Sequence, residues 1–84
     1  MERAKTSDIR FIYASDCVRK VIRAMPEGYT FNGWELKNMC VKLQPQLKNM
    51  YVETFLREMR AHCKSMYICE NRAQSLYSKI GQAE

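Results

Sequence analysis

Long apolar runs are missing from this sequence: nowhere do about 18 apolar residues follow one another, the length that a membrane-spanning helix needs. The N-terminal stretch carries Glu2 and Asp8 and has no apolar centre, so it does not look like a secretory signal. We therefore expect a cytoplasmic protein, in a compartment where thiols stay reduced and disulfide bonds are rare.

Groups that commonly carry catalysis or bind metals are also scarce. His62 is the only histidine, and there is neither a nucleophile-elbow motif nor a glycine-rich phosphate loop, so we expect no enzymatic activity. None of the four cysteines forms the CxxC pair that holds two ligands on one zinc ion, and His62-Cys63 with Cys69 comes nearest to a cluster. We predict free thiols, no metal and no cofactor, with Cys17 and Cys40 on apolar helix faces.

Glycine and proline are few, three and two in 84 residues, and 46% of the residues are hydrophobic, a composition typical of a globular chain. The length predicts one domain. The net charge of +5 favours a polyanionic partner, either nucleic acid or an anionic membrane. On the alternative interpretation, the charge serves only solubility.

The first helix is predicted by apolar residues that repeat at the spacing of one helix face. Ser15 could cap its start, or the helix begins near Ser7, since the same apolar stripe continues in that direction. Pro26 ends it, because proline disfavours helix in the residue before it. Residues 1–14 are therefore an N-terminal segment or a helix extension. The basic residues that would form an arm there are Arg3, Lys5 and Arg10.

The second helix has the clearest start signal in the chain. Asn32 is a good N-cap, and Glu35 lies three residues later, where its side chain can bond back to the cap. Trp34 is expected in the core or as a staple at the helix start, whereas a partly exposed Trp34 would indicate an interface. The helix ends before Pro45. Its apolar face consists of Leu36, Met39, Cys40 and Leu43.

A connector over residues 44–49 leads into the third helix. Its one apolar residue, Leu47, is expected to fill the gap between helices. The third helix is predicted to run from about Met50 to His62. Its core face, at the same helical spacing, consists of Val52, Phe55, Leu56 and Met59.

After Ser65 the periodicity changes to the alternation that is typical of β-strands. Residues 66–69 and 75–80 are predicted as two strands that are joined by a polar loop, and a minor strand is predicted near Thr30. Residues 81–84 are a tail. The side chains that we expect to face the core are Ile68, Leu76 and Ile80. Those that we expect to face solvent are Arg72, Gln74 and Lys79.

The order helix, short strand, helix, helix, hairpin resembles the winged helix-turn-helix family over roughly residues 15–80. Residues 51–60, YVETFLREMR, are similar to the family's third helix, and residues 29–36, YTFNGWEL, to its junction between strand and second helix. The resemblance implies an α+β fold with three helices and a small C-terminal antiparallel hairpin, the wing. It also implies that the third helix enters the DNA major groove while the wing touches the backbone or minor groove.

On that resemblance, the candidate DNA contacts lie on the connector, the third helix and the wing. They are Lys48, Asn49, Tyr51, Thr54, Arg57, Arg72, Gln74 and Lys79. Arg57 could pair with guanine, and the residues at the third helix's N-terminus could hold a phosphate.

The expected function is binding of double-stranded DNA, as a transcriptional or phage/plasmid-type regulator that would be associated with the nucleoid. The alternative is a winged-helix module that binds protein and not DNA, which the mixed charge of the third helix favours. A homodimer would have to use the first helix or the N-terminal segment, and no membrane partner is expected.

Overall fold

A computed structural model of the chain describes the backbone of residues 2–81 and the side chains of residues 12–81. The described part contains three α-helices and one three-stranded antiparallel sheet, so the α+β prediction is confirmed. The elements are α1 Glu2–Ala24, β1 Thr30–Asn32, α2 Gly33–Leu43, α3 Val52–His62, β2 Tyr67–Asn71 and β3 Leu76–Lys79. Short 3₁₀ helices lie at Pro45–Asn49 and Lys64–Met66.

Helix α1 is continuous through both of the starts that the sequence suggested, Ser7 and Ser15. It ends at Ala24, just before Pro26, as predicted. One face of the helix packs in the core, through Ala14, Cys17, Val18, Val21 and Ile22. The backbone of the predicted basic arm belongs to α1, but the side chains of Arg3, Lys5 and Arg10 lie outside what is described, as do residues 82–84 of the predicted tail. Among the described residues, no helix has the length and apolarity to cross a membrane.

The start of α2 is fixed by the predicted capping box. The Asn32 Oδ1 accepts from the Glu35 backbone N–H at 2.9 Å, and the Glu35 Oε1 accepts from the Asn32 N–H at 3.0 Å. Each bond satisfies a backbone donor that the helix itself leaves without a partner.

Helices α2 and α3 approach closely at Gly33. A Cβ atom at this position would lie 2.7 Å from Val52 Cγ1 and 3.1 Å from Leu56 Cδ1. Glycine therefore sets the distance between the two helices. The connector packs against α2 and α1, and its Leu47 is fully buried in the core, as predicted.

The sheet has the strand order β1-β3-β2, so β3 is its central strand. Phe31 in β1 and Cys69 in β2 both lie opposite Tyr77. A bulge between Cys69 and Asn71 gives β2 one more residue than β3. The sheet covers the helical core through aromatic rings in contact, and the Phe31 and Tyr77 rings are tilted by 32° with their centroids 5.7 Å apart.

The predicted phase of the hairpin is wrong by one residue. Tyr77 and Lys79 are buried, whereas Leu76 and Ile80 are only half-buried and Ile68 is 47% exposed. Side chains alternate along a strand, so a slip of one residue moves each of them to the opposite face.

Lys79 was expected in solvent, within reach of a phosphate, and that prediction is wrong. The side chain is 2% exposed, and its Nζ donates to the Met25 carbonyl oxygen at 2.8 Å. This carbonyl lies at the C-terminal end of α1, where carbonyls lack helical partners and the helix dipole favours a cation. Lys79 therefore stabilises the end of α1 and is removed from the candidate DNA contacts.

Two apolar side chains of α2 are more exposed than predicted. Leu43, expected on the core face, is the last residue of α2 and is 54% exposed. Trp34 is 61% exposed, which excludes the core position, and the Lys37 Nζ lies 5.6 Å from its ring centroid. For Trp34, exposure is the outcome that indicates an interface.

Candidate nucleic-acid interface

An open groove lies between α3 and the β2–β3 hairpin. Its volume is about 370 Å³. The two arginines in its lining come from different elements, Arg60 from the C-terminal half of α3 and Arg72 from the hairpin turn. We call it the α3–hairpin groove, and it is lined by Arg60, Tyr67, Cys69, Arg72, Ser75 and Tyr77.

Arg60 is held in place by an acidic neighbour on its own helix. Its Nη2 donates to the Glu53 Oε2 at 2.6 Å, and this hydrogen bond raises the pKa of Arg60. Both side chains are about half exposed. An ion pair in that setting contributes little free energy, so an incoming phosphate can compete with the carboxylate for the guanidinium.

Arg72 lies at the hairpin tip, which is ordered by two local hydrogen bonds. The Ser75 N–H donates to the Arg72 carbonyl at 3.2 Å, and the Gln74 N–H donates to the Asn71 Oδ1 at 3.2 Å. Ser75 has a φ of 51°, the left-handed conformation that tight turns often require. The turn leaves the Arg72 and Gln74 side chains exposed.

Two tyrosines form the apolar part of the groove. The rings of Tyr67 and Tyr77 meet edge to face, with centroids 5.5 Å apart. Burial raises the pKa of Tyr67. A tyrosine hydroxyl is protonated at neutral pH and can donate a hydrogen bond.

The outer face of α3 carries two further candidate contacts, Thr54 and Arg57. Arg57 is exposed there, Thr54 is half-buried and Ala61 is exposed, all opposite the core face. Within residues 12–81, Arg57 has no ion-pair partner, while the His62 Nε2 lies 3.3 Å from the Glu58 Oε1. Arg57 is therefore the α3 cation whose side chain is available to a base edge or a phosphate.

The N-terminal end of α3 presents the remaining candidates. Lys48 and Asn49 are exposed on the 3₁₀ helix, and Tyr51 is 81% exposed at the N-cap position of α3. No side chain caps this helix. Its first backbone N–H groups therefore remain suited to an anion.

Of the predicted site residues, the structure thus places Arg72 in the groove lining, beside Arg60, and Arg57 three residues before Arg60 on α3. It leaves Lys48, Asn49 and Tyr51 exposed at the start of α3. The sequence analysis does not single out Arg60, because the third helix has mixed charge, with Glu53 and Glu58 beside its arginines. A signal existed: Arg60 follows Arg57 by three residues, so both leave the same side of the helix.

The basic residues of α1 whose side chains are described, Arg19, Lys20 and Arg23, do not line this groove. The Asp16 carboxylate lies 3.2 Å from the Lys20 Nζ and 3.9 Å from the Arg19 Nη2. Part of the charge on α1 is therefore neutralised within the helix.

The cysteines offer little chemistry at this interface. Cys17, Cys40 and Cys63 are buried and Cys69 is exposed, and all four are free thiols. Burial raises the pKa of Cys40 to about 12 and also raises those of Cys17 and Cys63. Across the described residues there is no group of three or more His, Cys, Asp or Glu side chains that could hold a metal ion.

The chain was compared with protein families, with curated protein sequences and with solved structures. No protein-family model, no curated protein sequence and no solved structure matches this chain.

Proposed function

We propose that this chain is a winged helix-turn-helix domain that binds double-stranded DNA through α3 and the β2–β3 hairpin. The observation that carries the proposal is the α3–hairpin groove, in which Arg60 and Arg72 reach one opening from two different elements. The hairpin lies beside α3, and its strand β3, the central strand of the sheet, pairs with β1. This agrees with the wing that the family resemblance implies.

In the proposed complex, α3 enters the major groove, which is wide enough to admit a helix. Arg57 reads a base edge, because a guanidinium can pair bidentately with the two acceptors of guanine. Lys48 and Arg72 bind phosphates on either side of α3, and Arg60 exchanges Glu53 for a phosphate. A DNA-binding domain of this kind would act as a transcriptional or phage/plasmid-type regulator.

The charges of the surface support this division of roles. Glu53 and Glu58 both have partners, Arg60 and His62, and those pairs are partly exposed. On the proposed DNA surface, Arg57, Lys48 and Arg72 are exposed and have no ion pair within the described part of the chain. Phosphate contacts from such residues supply most of the affinity for random duplexes.

The base-reading role of Arg57 is tested with a duplex site that is selected from a random pool by the wild-type protein. Arg57→Ala should lose about 1–3 kcal/mol on the selected site and much less on random duplex. Arg19→Ala is the matched control on α1 and should change neither affinity. Equal losses on both duplexes would contradict base reading and leave Arg57 as a phosphate contact.

A second candidate function is a protein-binding module on the same fold. It is favoured by the exposed aromatic side chains at the α2–α3 crossing, Trp34 and Tyr51, and by the paired charges on α3. Trp and Tyr are enriched where proteins bind one another. This function would replace the first if no duplex binds the wild-type protein at low salt.

A further inference from the structure

A second groove lies between the C-terminal ends of α1 and α2, and we call it the α1–α2 groove. Its volume is about 530 Å³. Its lining includes no residue of α3, of the 3₁₀ helix before it or of the hairpin. It therefore stays accessible when the α3–hairpin groove is occupied.

The interior of the α1–α2 groove is apolar. Leu43 is 54% exposed in it, and Met39 is only half-buried, although both continue the apolar face of α2. A concave apolar surface of this kind is typical of a binding site for another molecule. The apolar lining consists of Val21, Ala24, Met25, Pro26, Tyr29, Met39 and Leu43.

The charged members of the lining are both cations, one from each helix. Lys20 is contributed by α1 and Lys42 by α2, and no acidic side chain lines the groove. Lys20 lies 3.2 Å from Asp16, in an exposed pair that is easily exchanged. Among the described residues Lys42 has no ion-pair partner. The groove thus combines an apolar interior with positive edges on two sides.

We propose that the α1–α2 groove binds an amphipathic helix of a partner protein, with an apolar stripe that is flanked by acidic residues. The stripe packs on Leu43 and Met39, and the flanking carboxylates pair with Lys20 and Lys42. An apolar helix face in an apolar groove is a common way for proteins to recognise peptides, and the flanking charges select the partner. The proposal does not depend on DNA binding.

The probe is a labelled synthetic helical peptide with Leu at positions i, i+3, i+4 and i+7 and Glu on both flanks. A matched peptide carries Lys in place of each Glu. Fluorescence anisotropy should show saturable binding of the Glu peptide to the full chain and weaker binding of the Lys peptide. Added salt should reduce that preference, because the charges are exposed.

Two variants locate the site. Leu43→Glu should weaken the Glu peptide by about tenfold or more, because it sets a carboxylate against the apolar stripe. Lys42→Glu should reverse the preference, weakening the Glu peptide and strengthening the Lys peptide. Leu43 and Lys42 are exposed, so both variants should keep the wild-type circular dichroism. Ile68→Glu, at an apolar position of similar exposure in the hairpin, is the control and should leave the binding of both peptides unchanged.

Three results would overturn the proposal. In the first, the two peptides bind equally well, or neither binds. In the second, Lys42→Glu leaves the preference unchanged. In the third, sedimentation shows self-association of the wild-type chain that Leu43→Glu abolishes, which would assign the groove to a second copy.

Discussion

The core face and the outer face of α3 belong to regions of opposite character. On the core face, Phe55 and Met59 are fully buried among the side chains of α1, α2 and the sheet. On the outer face, Arg57 is exposed, and the flank carries Arg60 into an open groove. Core residues and exposed residues lie close together in the sequence of α3. Even so, a substitution on the core face should change the stability of the fold, and one on the outer face should change binding.

The largest effect is expected from Phe55, at the centre of the core face. Phe55→Ala should lower the free energy of unfolding by about 3–5 kcal/mol, because it removes buried apolar surface and leaves a cavity. Chemical denaturation measures this change in the free energy of unfolding. Arg57→Ala, two residues away on the outer face, should leave the midpoint nearly unchanged. Similar losses in both variants would erase the distinction between the two faces.

The α2–α3 crossing gives the next effect. Gly33→Ala should cost about 1–3 kcal/mol, because the new Cβ meets Val52 Cγ1 at 2.7 Å and the helices must separate. Gly28 provides a different comparison: its φ is 90° and its surroundings are open, so Gly28→Ala tests backbone strain alone. If Gly33→Ala were as stable as the wild type, the crossing would not depend on close approach.

The next prediction compares the contributions of a buried and an exposed lysine, Lys79 and Lys48, to stability. Lys79→Met should cost about 1–3 kcal/mol, because it removes the charged hydrogen bond to the Met25 carbonyl at the end of α1. Lys48→Met, at an exposed position, is the matched control and should not change the melting temperature. Equal melting temperatures for the two variants would show that the Lys79 bond contributes nothing.

The smallest effect is expected in thiol reactivity, which distinguishes a cysteine of the groove from a cysteine of the core. Cys69 lines the α3–hairpin groove, while Cys40 lies in the core with a pKa of about 12. Since the thiolate is the reactive form, an aromatic disulfide reagent at pH 8 should label one thiol rapidly in the native protein. Cys69→Ser should abolish that rapid phase. Rapid labelling that persists in Cys69→Ser would mean that the core opens.

The parts that could be predicted from the sequence are those that short-range interactions decide. The capping box needs only Asn32 and Glu35, and Leu47 is the one apolar residue of its connector. The hairpin phase could not be predicted, because alternation permits Leu76 or Tyr77 to face the core. The choice depends on Phe31, which pairs with Tyr77 from a distant part of the chain.

The candidate site shows the same limit. Arg57 could be assigned to the outer face of α3 from helical spacing alone. Arg60 could not be assigned to the groove, because the groove exists only where the hairpin folds back beside α3. The burial of Lys79 likewise depends on the end of α1, which the hairpin sequence does not contain.

The salt dependence of binding to random duplex DNA tests the central claim most directly. Each phosphate contact lowers the slope of log affinity against log salt by about 0.9. We expect Arg72→Ala and Lys48→Ala each to flatten the slope by about one unit, while Arg19→Ala on α1 leaves it unchanged. If Arg19→Ala flattens the slope while Arg72→Ala and Lys48→Ala do not, DNA binds through α1 and the proposed surface is wrong.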